Sequence, residues 1–243
     1  MRRKSLLAAC VLLLLAAGCG KQASAATPKP PAAESSQAAK SKPIPGTSPT
    51  QLKTLARQTE KKLPGVKFPH FTPFSDEETL QVKASGNVSD YLLSFTTTEQ
   101  KAALAPLILQ KHTPTSTAAA DQADAALAYQ PLVGTAVELA NDITAYLQQQ
   151  ADLSKLTWHQ GNYAVTVKTA DGVDYAKVLA QNIDHFIHNN TLPSAQRGAI
   201  LIDTTAAGRS NTVKWRELSA YYTISGVNPM QTLRLAFGVG EKA

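Results

Sequence analysis

Few residues of this 243-residue chain have the type and spacing that chemistry needs. The five histidines, His70, His112, His159, His185 and His188, are scattered along it. Only His185 and His188 sit at ligand spacing, three residues apart on one helix beside Asp184, and a catalytic zinc would still want a third protein group. The simpler reading puts both imidazoles on the polar face of a helix that buries Ile183, Phe186 and Ile187. His159, next to Trp158 at a hairpin, reads as a solvated side chain, and Asp171 with Asp174 reads as helix capping before it reads as an acid–base pair. The sequence contains no Gly-x-Ser-x-Gly elbow, no phosphate-cradling glycine loop and no His-Glu-x-x-His. The expectation is therefore a chain without a catalytic centre, metal or cofactor. That leaves two thiols: Cys10, inside an apolar run, and Cys19, directly after it.

Around those cysteines the sequence is organised. Arg2-Arg3-Lys4 precedes an apolar stretch from Leu6 to Ala17, which is shorter than the ~20 residues a membrane-spanning helix needs and matches the core of an export signal. The ending Leu15-Ala16-Ala17-Gly18-Cys19 resembles the lipobox of bacterial lipoproteins. The resemblance implies that the Cys19 thiol takes a diacylglycerol by thioether, that residues 1–18 are removed as a signal peptide, and that the mature chain is held on the outer, extracytoplasmic face of the cell membrane. The competing reading is an ordinary secretory signal cut near Ala23-Ser24-Ala25. With Cys19 acylated and Cys10 lost with the signal, thiol catalysis, Cys-based zinc sites and disulfides are excluded.

Residues 19–50 are dominated by Ala, Ser, Pro and Lys, too poor in bulky apolar groups to offset ordering entropy, and are expected to form a disordered tether. As a coil it reaches roughly 30 Å. Residues 51–243 are expected to form one extracytoplasmic domain, with a subdivision allowed for near residues 113–132. Of the 24 Lys and Arg, seven precede residue 51, and of the 18 Asp and Glu, one does, so this domain carries 17 of each. A neutral domain without a basic stripe gives no ground for nucleic acid binding.

The positioning elements follow from periodicity. Ser48-Pro49-Thr50 opens a helix carrying Leu52, Leu55, Ala56 and Leu63, stopped by Pro64-Gly65. In Val66–Phe74 the prolines hold an extended backbone, so that Phe68, Phe71 and Phe74 clip onto a sheet or, on a functional reading, line an aromatic groove. Period-two alternation marks strands at Leu80, Val82 and Ala84, then at Tyr91, Leu93 and Phe95 after a Gly86-Asn87 turn. Residues 99–103 read as a turn or short helix before a strand at Leu107 and Leu109, and residues 113–128 read as a loop or marginal helix without a place. Val133 to Leu139 and Ile143 to Leu147 form a hairpin through Asn141-Asp142.

The clearest signal is an internal echo. Leu156 to Val167 turns at Gly161-Asn162 and runs into an amphipathic helix with Asp171 as cap and Val173, Ala176, Leu179, Ile183 and Phe186/Ile187 on its buried face. About 57 residues later, Val213-Lys214-Trp215 and Tyr221 to Ser225 lead to Asn228 as cap and Pro229 at the first helical position, then Met230, Leu233, Ala236 and Phe237. Trp158 and Trp215 hold equivalent places. The expected class is α+β: an antiparallel sheet of repeated strand-strand-helix units with helices on one face.

Thr157-Trp158 with Tyr163 to Val167, and Lys214-Trp215 with Tyr222 to Gly226, resemble C-terminal modules of Gram-positive surface lipoproteins. Those are similar in turn to the C-terminal half of MucB/RseB periplasmic regulators. The resemblance spans roughly residues 133–240 and implies a non-catalytic binding, interaction or sensing module of the cell envelope. Its partner would be an envelope protein, a polymer or an apolar ligand. Two other classes set their own requirements: a carrier of lipid or another apolar ligand needs an apolar cavity between sheet and helices, and a wall hydrolase needs a convergent acid, His or metal cluster.

Overall fold

The computed structural model describes residues 47–75, 77–98, 106–128 and 131–240. Cys19, the signal segment, nearly all of the tether and the turn read at residues 99–103 lie outside them. In chain order the elements are α1 (Pro49–Lys62), β1 (Leu80–Gly86), β2 (Tyr91–Thr97), β3 (Leu107–His112), α2 (Thr117–Ala125), β4 (Thr135–Glu138), β5 (Thr144–Gln150), β6 (Leu153–Gln160), β7 (Tyr163–Thr169), α3 (Val173–Asn189), β8 (Arg197–Asp203), β9 (Asn211–Glu217), β10 (Ala220–Gly226) and α4 (Pro229–Gly240).

The fold is α+β. Ten strands form one open sheet in the order β1-β2-β3-β10-β9-β8-β7-β6-β5-β4. Every neighbouring pair is antiparallel except β7 and β8, which run parallel. β3 and β4, on either side of residues 113–132, belong to this same sheet at different ends of the strand order. The sequence echo is now visible as two hairpins followed by helices, β6-β7-α3 and β9-β10-α4, with Trp158 paired to Val165 and Trp215 to Tyr222. α3 lies over β6 and β7, α4 over β9 and β10, and α1 beside β1.

Hairpin chemistry fixes the registers. Asn141 and Asp142 both have positive φ (55° and 58°), the backbone of a two-residue turn that matches strand twist. Gly161, with φ 57°, turns β6 into β7. At the β1–β2 turn Asn87 Oδ1 accepts from the backbone N–H groups of Ser89 and Asp90. Asn228 caps α4 as its sequence suggests, accepting from the Gln231 N–H at 3.0 Å. Asp171 does not cap α3. Gly172 occupies the cap position with φ 91°, and the Asp171 carboxylate, one residue too early, accepts instead from the Thr169 hydroxyl at 3.0 Å.

One strand, β8, has no counterpart among the elements read from periodicity. The β8 run Ala199-Ile200-Leu201-Ile202 is apolar throughout, yet its burial alternates: Ile200 and Ile202 enter the core while Ala199 and Leu201, on the other face, are half-buried. The right order, β7-α3-β8, is what a parallel pair requires, since parallel strands cannot be joined by a tight turn.

The core fills the space between the sheet and α1, α3 and α4. Alternate strand residues enter it: Leu93 and Phe95, Leu156 and Trp158, Val165 and Val167, Ile200 and Ile202, Val213 and Trp215 are all essentially unexposed. The segment at residues 66–74 does clip this layer shut. Phe68 lies 6.0 Å from Phe95 and Phe71 lies 6.0 Å from Phe237, centroid to centroid. The His70 N–H donates to the Gly238 carbonyl at 2.9 Å, and a Cβ at Gly238 would run into the Phe71 backbone. Among the described residues no helix is long and apolar enough to cross a membrane.

Four phenols are tied into this packing. Burial raises Tyr91, Tyr163, Tyr221 and Tyr222 above the ordinary phenol value of 10.0. For Tyr221 the Asp124 carboxylate adds to the rise while Arg216 opposes it, and for Tyr222 the neighbouring Glu217 adds to it. The folded chain thus keeps these protons where the unfolded chain gives them up. Their contribution to stability is whole below about pH 10 and is lost as pH rises through the folded values. Denaturant melts taken from pH 9 to 11 should show stability falling, with phenolate absorbance appearing together with unfolding. Tyr163→Phe and Tyr222→Phe should each make the fall shallower.

Candidate functional site

On the sheet face away from α1, α3 and α4, the outward-pointing residues are mainly small or polar. β3, β10 and β9 are neighbours there, and their registers place Gln110 opposite Thr223 and Thr223 opposite Lys214. Adjacent strands lie ~4.8 Å apart, so an amide, a hydroxyl and an ammonium stand in one row across about 10 Å. No described residue makes an ion pair with Lys214.

α2 lies across this face, although the other three helices pack on the opposite one. The reason is Tyr221, which points away from Tyr222 by strand alternation and would otherwise leave an aromatic ring in water. Its hydroxyl donates to the Asp124 carboxylate at 2.8 Å and lies 3.1 Å from the Ala120 carbonyl. Arg216, opposite Tyr221 on β9, ion-pairs with the same Asp124 and has its guanidinium 5.7 Å from the centre of the Tyr221 ring. Leu127, just past the helix, is buried. A nine-residue helix is marginal alone. α2 begins at Ser116, whose hydroxyl accepts from the Ala119 N–H, and it keeps its place through Asp124 and Leu127.

Beneath α2 a cleft of about 280 Å³ opens on the Gln110–Thr223–Lys214 row. Its roof is Ala123, Ala126 and Leu127, with Tyr221 and His112 beside the row. His112 is engaged with Asp90 through Nδ1. The arrangement can hold a small polar ligand: the ammonium takes an anionic group, the amide and hydroxyl read its hydrogen-bonding edge, and the roof excludes water from its less polar side.

The residues singled out by sequence fall elsewhere. His185 and His188 are exposed on the outer face of α3, where Asn189 lies against the His185 ring. Among the described residues no group of three or more His, Cys, Asp or Glu side chains comes within reach of one metal ion. Asp184, between Ile183 and His185, is fully buried. It accepts from Gln160 at 3.1 Å and from Asn141 at 3.2 Å, and Gln160 in turn accepts from the Trp158 indole at 3.2 Å. This relay ties α3 to β6 and to the β4–β5 turn, and nothing in the spacing of the sequence announces it. The Phe68 and Phe71 rings pack within the fold at the distances given above. The chain matches no family model, no curated protein and no solved structure.

Proposed function

We propose that this chain is a lipid-anchored extracytoplasmic protein of the cell envelope that acts as a non-catalytic binding module, with the cleft under α2 as its ligand site. The observation that carries the reading is the row of Gln110, Thr223 and Lys214 under an apolar roof. Three polar heads, one of them a cation with no ion pair among the described residues, and an aromatic neighbour suit an acidic sugar unit of an envelope polymer, whose carboxylate meets Lys214 and whose hydroxyl and amide groups meet Thr223 and Gln110. The resemblance to surface lipoproteins and to MucB/RseB regulators supports the same class. A carrier of an apolar ligand would need a cavity between helices and sheet, where Trp158, Trp215, Phe95 and Leu156 now sit.

N-acetylmuramic acid, which carries both an amide and a carboxylate, is the probe. Titrated into the mature protein, it should shift the NMR signals of Gln110, Thr223, Lys214 and Tyr221 and be recovered unchanged. Lys214→Gln should weaken binding at least tenfold, the loss of a charge-assisted hydrogen bond. Turnover of the probe would make the protein an enzyme, and shifts confined to other surfaces would remove the cleft from the reading.

A further inference from the structure

The neutrality of residues 51–243 conceals a division of charge. α1 carries Lys53, Arg57, Lys61 and Lys62 against Glu60, so it holds four of the 17 basic groups and one of the 17 acidic ones. Residues 63–243 are left with 13 basic and 16 acidic groups. Ahead of α1, residues 19–48 add Lys21, Lys29, Lys40 and Lys42 against Glu34. From Cys19 to Lys62 the chain is therefore net basic, and beyond it the balance turns acidic. A charge asymmetry of this kind marks contact with an anionic surface.

The geometry of α1 sharpens this. Lys53, Arg57 and Lys61 recur every four residues, so they form one stripe, about 12 Å long at 1.5 Å per residue. All three are exposed, while Leu52 and Thr59 are buried against the rest of the domain. Glu60, the acid of this helix, accepts from the Gly65 N–H at 2.9 Å and so serves the turn that ends it. Beside the stripe lies a groove of about 490 Å³ with Ala56 and Phe68 in its lining and Arg57 and Lys61 at its margin.

We propose that α1 is a membrane-surface contact: the Lys53–Arg57–Lys61 stripe lies on the phosphates of an anionic bilayer, the one to which Cys19 anchors the chain. The inference rests on the anchored reading, which supplies the bilayer and its distance. A coil of the tether's length reaches roughly 30 Å, so α1, the first described helix after it, stays within range of the headgroups at high effective concentration. The net acidic remainder is turned from the surface by the same field that draws α1 toward it. The α2 cleft, built on other elements, then keeps a fixed relation to the membrane.

The test uses the mature chain purified from membranes and mixed with vesicles of phosphatidylglycerol or phosphatidylcholine whose acyl chains are brominated. Gln58→Trp places a reporter on the exposed side of α1, and the native Trp158 and Trp215 are too buried to respond. Its fluorescence should be quenched on phosphatidylglycerol, not on phosphatidylcholine, and should recover in about 0.5 M salt. Adding Lys53→Gln, Arg57→Gln and Lys61→Gln should abolish the quenching, weaken the α1 contact about a hundredfold and leave the melting temperature unchanged. Flotation separates the two readings. An anchored chain floats with both vesicles whatever α1 does. A chain that floats with phosphatidylglycerol alone, and only while the stripe is intact, has lost the anchor and kept the contact. Equal quenching with and without the stripe overturns the proposal. So does a stripe that binds soluble polyphosphate while quenching on phosphatidylglycerol is unaffected, because its occupant is then a soluble acidic polymer.

Discussion

Trp158→Ala and Trp215→Ala should each cost about 3–5 kcal/mol, a large share of the roughly 5–15 kcal/mol that holds a domain together. Both indoles are fully buried at matching positions of the two hairpin-helix units, so both substitutions leave a large cavity between sheet and helix. Conservative changes should then separate them. Trp158 donates to Gln160, which donates to buried Asp184, so Trp158→Phe leaves a polar chain one donor short and adds about 1–3 kcal/mol to the loss of volume. Trp215 stacks on Tyr222 at 5.1 Å with an interplanar angle of 13°, and its Nε1 has no hydrogen-bond partner among the described residues. Trp215→Phe gives up no hydrogen bond and should be the milder change. Denaturant melts of the four variants measure both statements. Unchanged stability in either alanine variant would mean that the ring is not part of the core.

The parts of the fold legible in the sequence are those where one periodicity acts alone. β1 and β2 bury alternate residues, Leu156/Trp158 and Val165/Val167 keep the same spacing in β6 and β7, and Gly161-Asn162 and Asn141-Asp142 announce their turns. The repeated unit was legible for the same reason, because two hairpins of similar pattern each precede a helix. β8 has no such signature: its burial alternates, but its half-buried face also carries apolar side chains, Ala199 and Leu201, and the unbroken apolar run at 199–202 resembles a buried stretch of any kind. The Asp171 cap fails on a single residue of register, since a carboxylate must sit directly at the cap to reach the first free N–H groups, and Gly172 stands there instead.

The cleft could not have been read at all. Gln110, Thr223 and Lys214 meet only because β3 pairs with β10 across more than a hundred residues, an outcome of strand order and not of spacing. α2 adds a second obstacle, because an Ala-rich segment carries no apolar stripe to say which face of a sheet it covers. Its place depends on Tyr221 and Arg216, whose meaning appears only once the sheet has fixed which side they occupy. His185 and His188, at ligand spacing, read in the sequence as a solvated helix face, and both are exposed there; ligand spacing on a helix is a common accident when two histidines share such a face.

Cys19→Ala should change the location of the protein almost completely. The expectation comes from Leu15-Ala16-Ala17-Gly18-Cys19, whose resemblance to a lipobox makes the Cys19 thiol the proposed acylation site. Each buried methylene contributes about 0.8 kcal/mol, and two acyl chains hold a protein on a bilayer where one does so marginally. Against two such chains, the contact proposed for α1 would be a weak second one. Wild-type protein should enter the detergent phase with an acylated Cys19 at its N-terminus, and the variant should appear either in the medium or as an uncut precursor of higher mass. The precursor would stay on membranes through its apolar signal, so mass, not location alone, decides that case. A soluble wild-type protein beginning at residue 24 or later would sink the lipoprotein reading and leave the alternative signal cut near Ala23-Ser24-Ala25. The cleft would survive that outcome, because Gln110, Thr223 and Lys214 are set by the sheet and owe nothing to the anchor.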